Sequence, residues 1–291
     1  MKRLLDVLEK YKITAVFFIT GQMAERLSNY PEIVRMLSSH EIGYHSSSHS
    51  THPTIFEYTD VESYKQAYDV SFERETSHIN PLTGKVEGPG GILALRSVFH
   101  SKNVVSFRAP GACWSPPHLE ALRELGIKID FSSAIRNTPF RHKDITFYPY
   151  PQLGDWQNKS VYYRVMLQSI LRNQITVADL HPSFFLNKVE WDSIYWKENP
   201  IQLVAPAERE PAEILTRLET FAIFLKRIKA LEKSGLFRIG GCPSESHNEI
   251  SITRQIAIQG YQHSIRWPRR WFSYEPKFLE QHFLTFFDVA C

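Results

Sequence analysis

The sequence predicts an α/β protein built on a parallel sheet or barrel, and three observations carry that prediction. Short β-rich runs alternate with longer amphipathic ones along most of the 291 residues, the rhythm of strands joined by crossover helices. The run ITAVFFIT (13–20) is apolar at successive positions, as a strand buried on both faces requires. Helix starts and stops fall where backbone chemistry favours them, at Pro31 and in the segment SPPHLEALRELG (115–126) with its terminal glycine.

The elements follow in order. Leu4, Leu5, Val7, Leu8 and Tyr11 are spaced to form one face of an opening helix. ITAVFFIT ends at Gly21, a helix starts at Pro31 and runs through IVRMLSSH, and Glu41 to Tyr44 is a short strand. Tyr58 to about His78 reads as one helix, and Asn80-Pro81 with glycines 84, 88, 90 and 91 reads as a loop insertion. The alternation resumes with strands at 104–107, 127–133 and 145–151, a helix over 161–173 and a strand over 175–180. A long amphipathic helix over 211–233 and a strand over 236–239 close the series. Residues 1–245 therefore read as one domain, and 246–291, which carry WPRRWFSYEP, read as an extension.

Composition narrows the function classes. With Lys+Arg 34 against Asp+Glu 31, the charge of +3 is too balanced for a nucleic-acid footprint. No apolar run approaches the roughly 20 residues of a membrane helix. Three cysteines without C-x-x-C spacing suggest neither a disulfide framework nor a cysteine zinc cluster. Asp6, Glu9 and Lys10 interrupt any apolar signal-peptide core, so a cytoplasmic setting is the default expectation.

Residues with chemical potential stand at strand exits. His45 and His49 follow the 41–44 strand; at i,i+4 on a helical turn, two imidazoles can share one metal ion. Two exposed loop histidines would read the same way. Arg108, in FRAPG, offers a fixed fork of donors for a carboxylate, and Pro110-Gly111 would make a stiff turn that brings backbone close to a ligand. A surface arginine beside a turn is the plain alternative. His181, in DLHP, stands at another strand's exit, where a capping or core histidine is equally at home. Trp114, Trp156, Trp191 and Trp196 suit stacking on sugar rings or packing in a core. In a parallel sheet, strand exits gather on one rim, so His45, His49, Arg108, Asp130 and His181 should meet.

Taken in order, these segments resemble the NodB-type polysaccharide deacetylases, carbohydrate esterase family four. ITAVFFITG resembles the family's ATFFVTG strand, and EIGYHSSSHS its EIGNHTxxHS segment with the H-[ST]-x-x-H metal motif. FRAPG resembles the R-x-P motif, IDFSS the Asp-bearing strand after it, and DLHP the final L-x-H motif. The likeness runs from residue 1 to about 245, with a long insertion between His52 and Val104.

The resemblance implies a distorted (β/α) barrel with fewer than eight strands and a metal-dependent hydrolase that removes acetyl groups from N-acetylated carbohydrate or a related amide. It implies that His45 and His49 ligate a divalent metal, usually zinc, and that Ser46 bridges their loop by hydrogen bonds. Arg108 would orient the catalytic base, His181 would protonate the leaving amine, and Asp130 would support His181. Leu180 would line the acetyl pocket, with Pro110 and Trp114 also facing substrate. Family members open with a strand bearing T-F-D-D, whose aspartates supply the base and the third metal ligand. This sequence has no Asp-Asp pair, and Asp6 lies within the first helix's apolar stripe. The expectation is an N-terminally truncated barrel lacking its first strand, with zinc weakly held and activity impaired. A catalytically inactive carbohydrate-binding homologue is the alternative, and an interaction module built on the basic WPRRW stretch is a third. No nucleic-acid or membrane partner is expected.

Overall fold

The computed structural model describes residues 1–49, 55–80, 83–133, 135–136, 138–149, 167, 170–171, 175, 177–189, 204–236, 238–242, 247–266, 269 and 274–289. Helix α1 (Lys2–Lys10) buries Leu4, Leu5 and Leu8 on one side, the spacing its sequence dictates. Strand β1 (Val16–Ile19) follows. Thr20 then caps α2 (Gly21–Leu27), its Oγ1 accepting from the Met23 N–H at 3.1 Å, which satisfies a donor that a helix start leaves open. Pro31 opens α3 (Pro31–Leu37), and β2 (Glu41–Tyr44) returns to the sheet.

The segment read as one helix and a loop has more structure than that. A short α4 (Ile55–Thr59) precedes α5 (Tyr64–Glu75), which starts late because Ser63 caps it. Strands β3 (Ser77–Ile79) and β4 (Val86–Pro89) pair as an antiparallel hairpin, and α6 (Ile92–Val98) follows. Next come β5 (Ser106–Phe107), α7 (Pro116–Glu124) and β6 (Ile129–Asp130), then the hairpin of β7 (Phe140–His142) and β8 (Ile145–Phe147).

Among the described residues, six strands form one sheet in the order β1-β2-β5-β6-β8-β7. All its pairings are parallel except β7 with β8. The fold is α/β, and these strands make an open sheet. The expected 236–239 strand is not formed at its described positions: Leu236 is exposed and the Ile239 N–H donates to Glu232 at 2.8 Å, so the chain turns back on its own helix end. The expected 175–180 strand shows one bridge residue, Ala178, at its described positions. The 161–173 helix falls mostly outside the described residues.

Register decides which side chains share a face. Ile19, Tyr44, Phe107, Asp130 and Phe147 lie side by side across five strands. All five are buried, and Tyr44, Phe107 and Phe147 meet Glu75, His118 and Phe286 of the helical layer on that face. Their chain neighbours His45 and Arg108 therefore fall on the opposite face, because side chains alternate along a strand. Gly43 makes room on that opposite face. A Cβ there would meet the Phe18 ring at 2.6 Å and the Ser106 hydroxyl at 2.7 Å.

The main core joins Leu5, Phe56, Phe99, Phe107, Trp114 and Phe147 to the C-terminal residues Ile252, Ala257, Phe283 and Phe286. Two helices of the 246–291 stretch, Arg254–Ser264 and Leu279–Phe286, are thus built into the layer behind the sheet. Tyr274 ties that stretch to Asp60 through a 2.7 Å hydrogen bond. Most of WPRRWFSYEP lies outside the described residues. A second cluster packs Leu4 and Leu8 of α1 against Phe185 and against Leu218, Phe221 and Leu225 of the helix Pro211–Lys233. No helix among the described residues is long and apolar enough to cross a membrane.

Candidate active site

Two strand exits build the site. The turn after β2 is fixed from several directions. The His45 N–H donates to the Ile19 carbonyl at 3.0 Å, continuing the β1–β2 ladder by one step. The first N–H groups of α2 then take the next two carbonyls, Gly21 to Ser46 at 3.1 Å and Gln22 to Ser47 at 3.0 Å. Ser46 sits at φ 66°, a left-handed conformation that a non-glycine residue holds only when its surroundings enforce it. Its hydroxyl donates to Glu75 Oε1 at 2.7 Å, so Ser46 does bridge the loop, and its partner lies at the end of α5.

His45 and His49 face one another with ring centroids 5.1 Å apart. His45 Nδ1 is 2.6 Å from the Arg108 carbonyl oxygen. A carbonyl only accepts, so Nδ1 carries the proton and Nε2 keeps its lone pair. That second-partner arrangement is typical of a metal-ligating imidazole. Burial holds His45 down at about 3 and holds His49 well below the usual imidazole range, where a proton on His45 or His181 would depress it further. Both rings are therefore neutral, the form that binds metal.

Arg108 lies at the exit of β5, its N–H bonded to the Tyr44 carbonyl at 3.1 Å. Its guanidinium grips Asp179 with both forks, Nη1 to Oδ1 at 2.5 Å and Nη2 to Oδ2 at 2.6 Å. Both side chains are mostly buried, so the bidentate geometry is fixed and removal of either partner would strand a buried charge. Burial raises the Asp179 carboxyl, but the hydrogen bonds and charge of Arg108 outweigh that and hold it below its ordinary value. Asp179 was not singled out from the sequence. Its signal was there in D-x-H: in extended chain, residues 179 and 181 point the same way and 180 points the other.

The same alternation corrects several expectations. Leu180 packs against the Leu4–Phe185–Leu218 cluster and does not line the site. Asp130 lies on the helix-facing side of the sheet, where it cannot support His181. Its oxygens accept from the Ser132 hydroxyl at 2.7 Å and from the Ser132 and Ser133 N–H groups, both at 3.0 Å. Ser132 in turn accepts from the Ala109 N–H at 2.7 Å, so Asp130 braces the Arg108 turn from behind. Burial raises Asp130 to about 6 against those hydrogen bonds. Trp114 is fully buried against Phe147, Phe283 and Phe286 and is core, not a sugar platform. Pro110 does sit partly exposed at the start of a tight turn, Pro110–Ala112. Trp156, Trp191 and Trp196 lie outside the described residues.

His181 is partly exposed and close enough that its charge would depress His45 and His49. His45, His49, Arg108 and Asp179 thus meet at the strand exits, with His181 two residues beyond Asp179 in the chain. The imidazole pair suits a divalent transition metal by donor chemistry. Among the described residues, however, no group of three or more His, Cys, Asp or Glu side chains is arranged to hold one.

Comparison with known proteins bears on the histidine turn. Residues 1–88 match the polysaccharide deacetylase family model. That stretch contains β1, β2, His45, His49 and Glu75. No curated protein matches the chain. Among solved structures, a protein of Mycobacterium smegmatis classed as a polysaccharide deacetylase is similar at 16% identity and a TM-score of 0.48, over 84% of this chain and 80% of that one. The 4-alpha-glucanotransferase of Thermococcus litoralis is similar at 12% identity and a TM-score of 0.45, over 98% of this chain and 45% of that one. A protein of Bordetella bronchiseptica classed as a polysaccharide deacetylase gives 17% identity and a TM-score of 0.35, over 75% and 84%.

Proposed function

We propose that this chain is a hydrolase of the polysaccharide deacetylase type, directed at the acetyl group of an N-acetylated carbohydrate or a related amide. What supports the reading is the contact of His45 with His49 and with the Arg108 carbonyl, and the grip of Arg108 on Asp179, two residues before His181; the two histidines lie in the stretch that matches the deacetylase family. His45 and His49 would hold a divalent metal, zinc first. Among the described residues, two imidazoles are one ligand short of the usual catalytic set, so the ion would be held weakly and turnover would be low. When bound, such an ion supplies Lewis acidity and a water of lowered pKa.

The chain's own groups do the rest. Arg108 fixes the Asp179 carboxylate in its ionised form, ready to accept a proton from the attacking water. His181 gives a proton to the departing amine nitrogen, so that amide and water become acetate and amine. A second reading, a carbohydrate-binding homologue without catalysis, is favoured by one feature: both oxygens of Asp179 are taken by Arg108.

Acetate release from N-acetylated chitin oligomers, measured with and without added Zn²⁺ or Co²⁺, separates the two. Slow release that rises with metal and disappears in His49→Ala and in His181→Ala is the expected result. Release that persists with chelator present, or in His49→Ala, contradicts the metal assignment. Oligomer binding with no release under any condition supports the second reading.

A further inference from the structure

The segment between the two-histidine turn and the arginine strand resembles an insertion, yet its helix α5 ends in a fully buried carboxylate. Glu75 is 1% exposed. Its Oε1 accepts from the Ser46 hydroxyl at 2.7 Å and lies 2.8 Å from His118 Nε2. Its Oε2 accepts from the Ser47 N–H at 3.0 Å and from the Tyr44 hydroxyl. Three of these four partners lie close together in the chain: Tyr44, the last residue of β2, and Ser46 and Ser47, two of the three residues between the histidines. The Ser47 hydroxyl donates to the Ser77 carbonyl at 2.6 Å, two residues beyond Glu75. Gly91 completes the fit: at φ 59° it presses against the Glu75 carbonyl, where a Cβ would come within 2.1 Å.

A charged group is buried only when its lone pairs are filled; here three of the four partners come from the turn and the strand before it, and His118 of α7 is the fourth. The left-handed Ser46 turns the chain so that residues 45 and 49 face one another across the site. We propose that Glu75 is a positioning residue: from behind the sheet, it holds the 45–49 turn in the one conformation that presents both imidazoles. Glu75 touches neither imidazole, so it acts through Tyr44, Ser46 and Ser47. The proposal rests on reading His45 and His49 as the working pair of the hydrolase. It adds that the pair is pre-formed by a residue from the 53–103 segment, not by the strands alone.

The test uses the full chain with Co²⁺ as the probe, comparing wild type, Glu75→Ala, Glu75→Gln and Leu122→Ala. The last is a buried core change on α7, outside the 45–49 turn, that lowers stability. Visible absorption of bound Co²⁺ reads the ligand set, and the nuclear magnetic resonance signal of the His45 Nδ1 proton reads its bond to Arg108 whether or not metal binds. Glu75→Ala should weaken Co²⁺ binding by about tenfold or more, alter the Co²⁺ spectrum and broaden or remove the His45 signal. Glu75→Gln keeps one good acceptor and should lose only about two- to fivefold. Leu122→Ala should leave the spectrum and the signal intact.

Wild-type affinity and an unchanged His45 signal in Glu75→Ala would overturn the proposal, as would the same losses in Leu122→Ala. Should Glu75→Ala not fold, Glu75→Gln decides, and wild-type behaviour there is the overturning result. If the wild-type protein takes up no Co²⁺, the metal reading fails while the His45 signal still reports on Glu75.

Discussion

Three carboxylates near the site, Glu75 and Asp130 buried and Asp179 mostly so, show how environment assigns work to one functional group. Burial raises both Asp179 and Glu75, but Arg108 outweighs it for the first, and His118 with the Tyr44 and Ser46 hydroxyls outweighs it for the second, so both are held below their ordinary values. Each therefore contributes stability above the unfolded carboxylate pKa of about 4, and that contribution is lost as pH falls through the folded value. Asp130 runs the other way. Raised to about 6, it contributes below about 4 and loses that contribution as pH rises through about 6. Urea unfolding of wild type and Asp130→Asn across pH 4 to 7 should show the variant gaining on wild type by on the order of 2–3 kcal/mol as pH rises. Parallel profiles would contradict this. Among single residues, His45, His49 and Arg108 were legible because a strand exit and a short motif marked them. Asp130 misled because its position near a strand end was read without the alternation that puts it on the far side. Glu75 had no sequence signal. It is one of several charged residues in YKQAYDVSFERE, and only the tertiary fold buries it.

At the scale of elements, turns and close contacts set what the strands can deliver. Gly91 opens α6 at φ 59° against the end of α5. Alanine there meets both an unfavourable backbone region and a carbonyl at 2.1 Å. Gly91→Ala should cost about 2–3 kcal/mol in urea unfolding and loosen the histidine turn through Glu75. A loss under 0.5 kcal/mol would show that the α5–α6 contact is soft. Elements with a strong period or a clear cap were legible: α1, β1, β2, α7 and the helix Pro211–Lys233. The β3–β4 hairpin was hidden behind glycines that read as loop, and α6 by its short length of 7 residues. The 236–239 run carries strand-forming residues, but its backbone turns to Glu232, a contact no local pattern reveals.

Over the whole molecule, the sheet has a working face and a supporting face. The supporting face carries the core, and the C-terminal stretch belongs to it. Phe283 lies 4.7 Å from Trp114, and Phe286 and Phe287 surround Phe147. Trp114→Ala should therefore lower stability by about 3–5 kcal/mol, and removal of residues 246–291 should leave a chain that does not fold cooperatively. A truncated chain with a sharp unfolding transition would contradict that role. An alternating α/β pattern made the fold class legible, because strand burial and helix caps are written locally. The stretch 246–291 broke the pattern and read as an appendage, since its contribution is long-range packing.

The central claim is that His45, His49 and His181 share one pocket and that the first two accept the metal. Titrating Zn²⁺ into uniformly ¹⁵N-labelled protein, and following the imidazole nitrogens of all histidines, tests this most directly. The account predicts that near one equivalent His45 Nε2 and a His49 ring nitrogen shift as ligands, that His45 Nδ1 stays protonated on the Arg108 carbonyl, and that His181 responds as a neighbour. Saturation that moves other histidines while 45, 49 and 181 stay unchanged would contradict it.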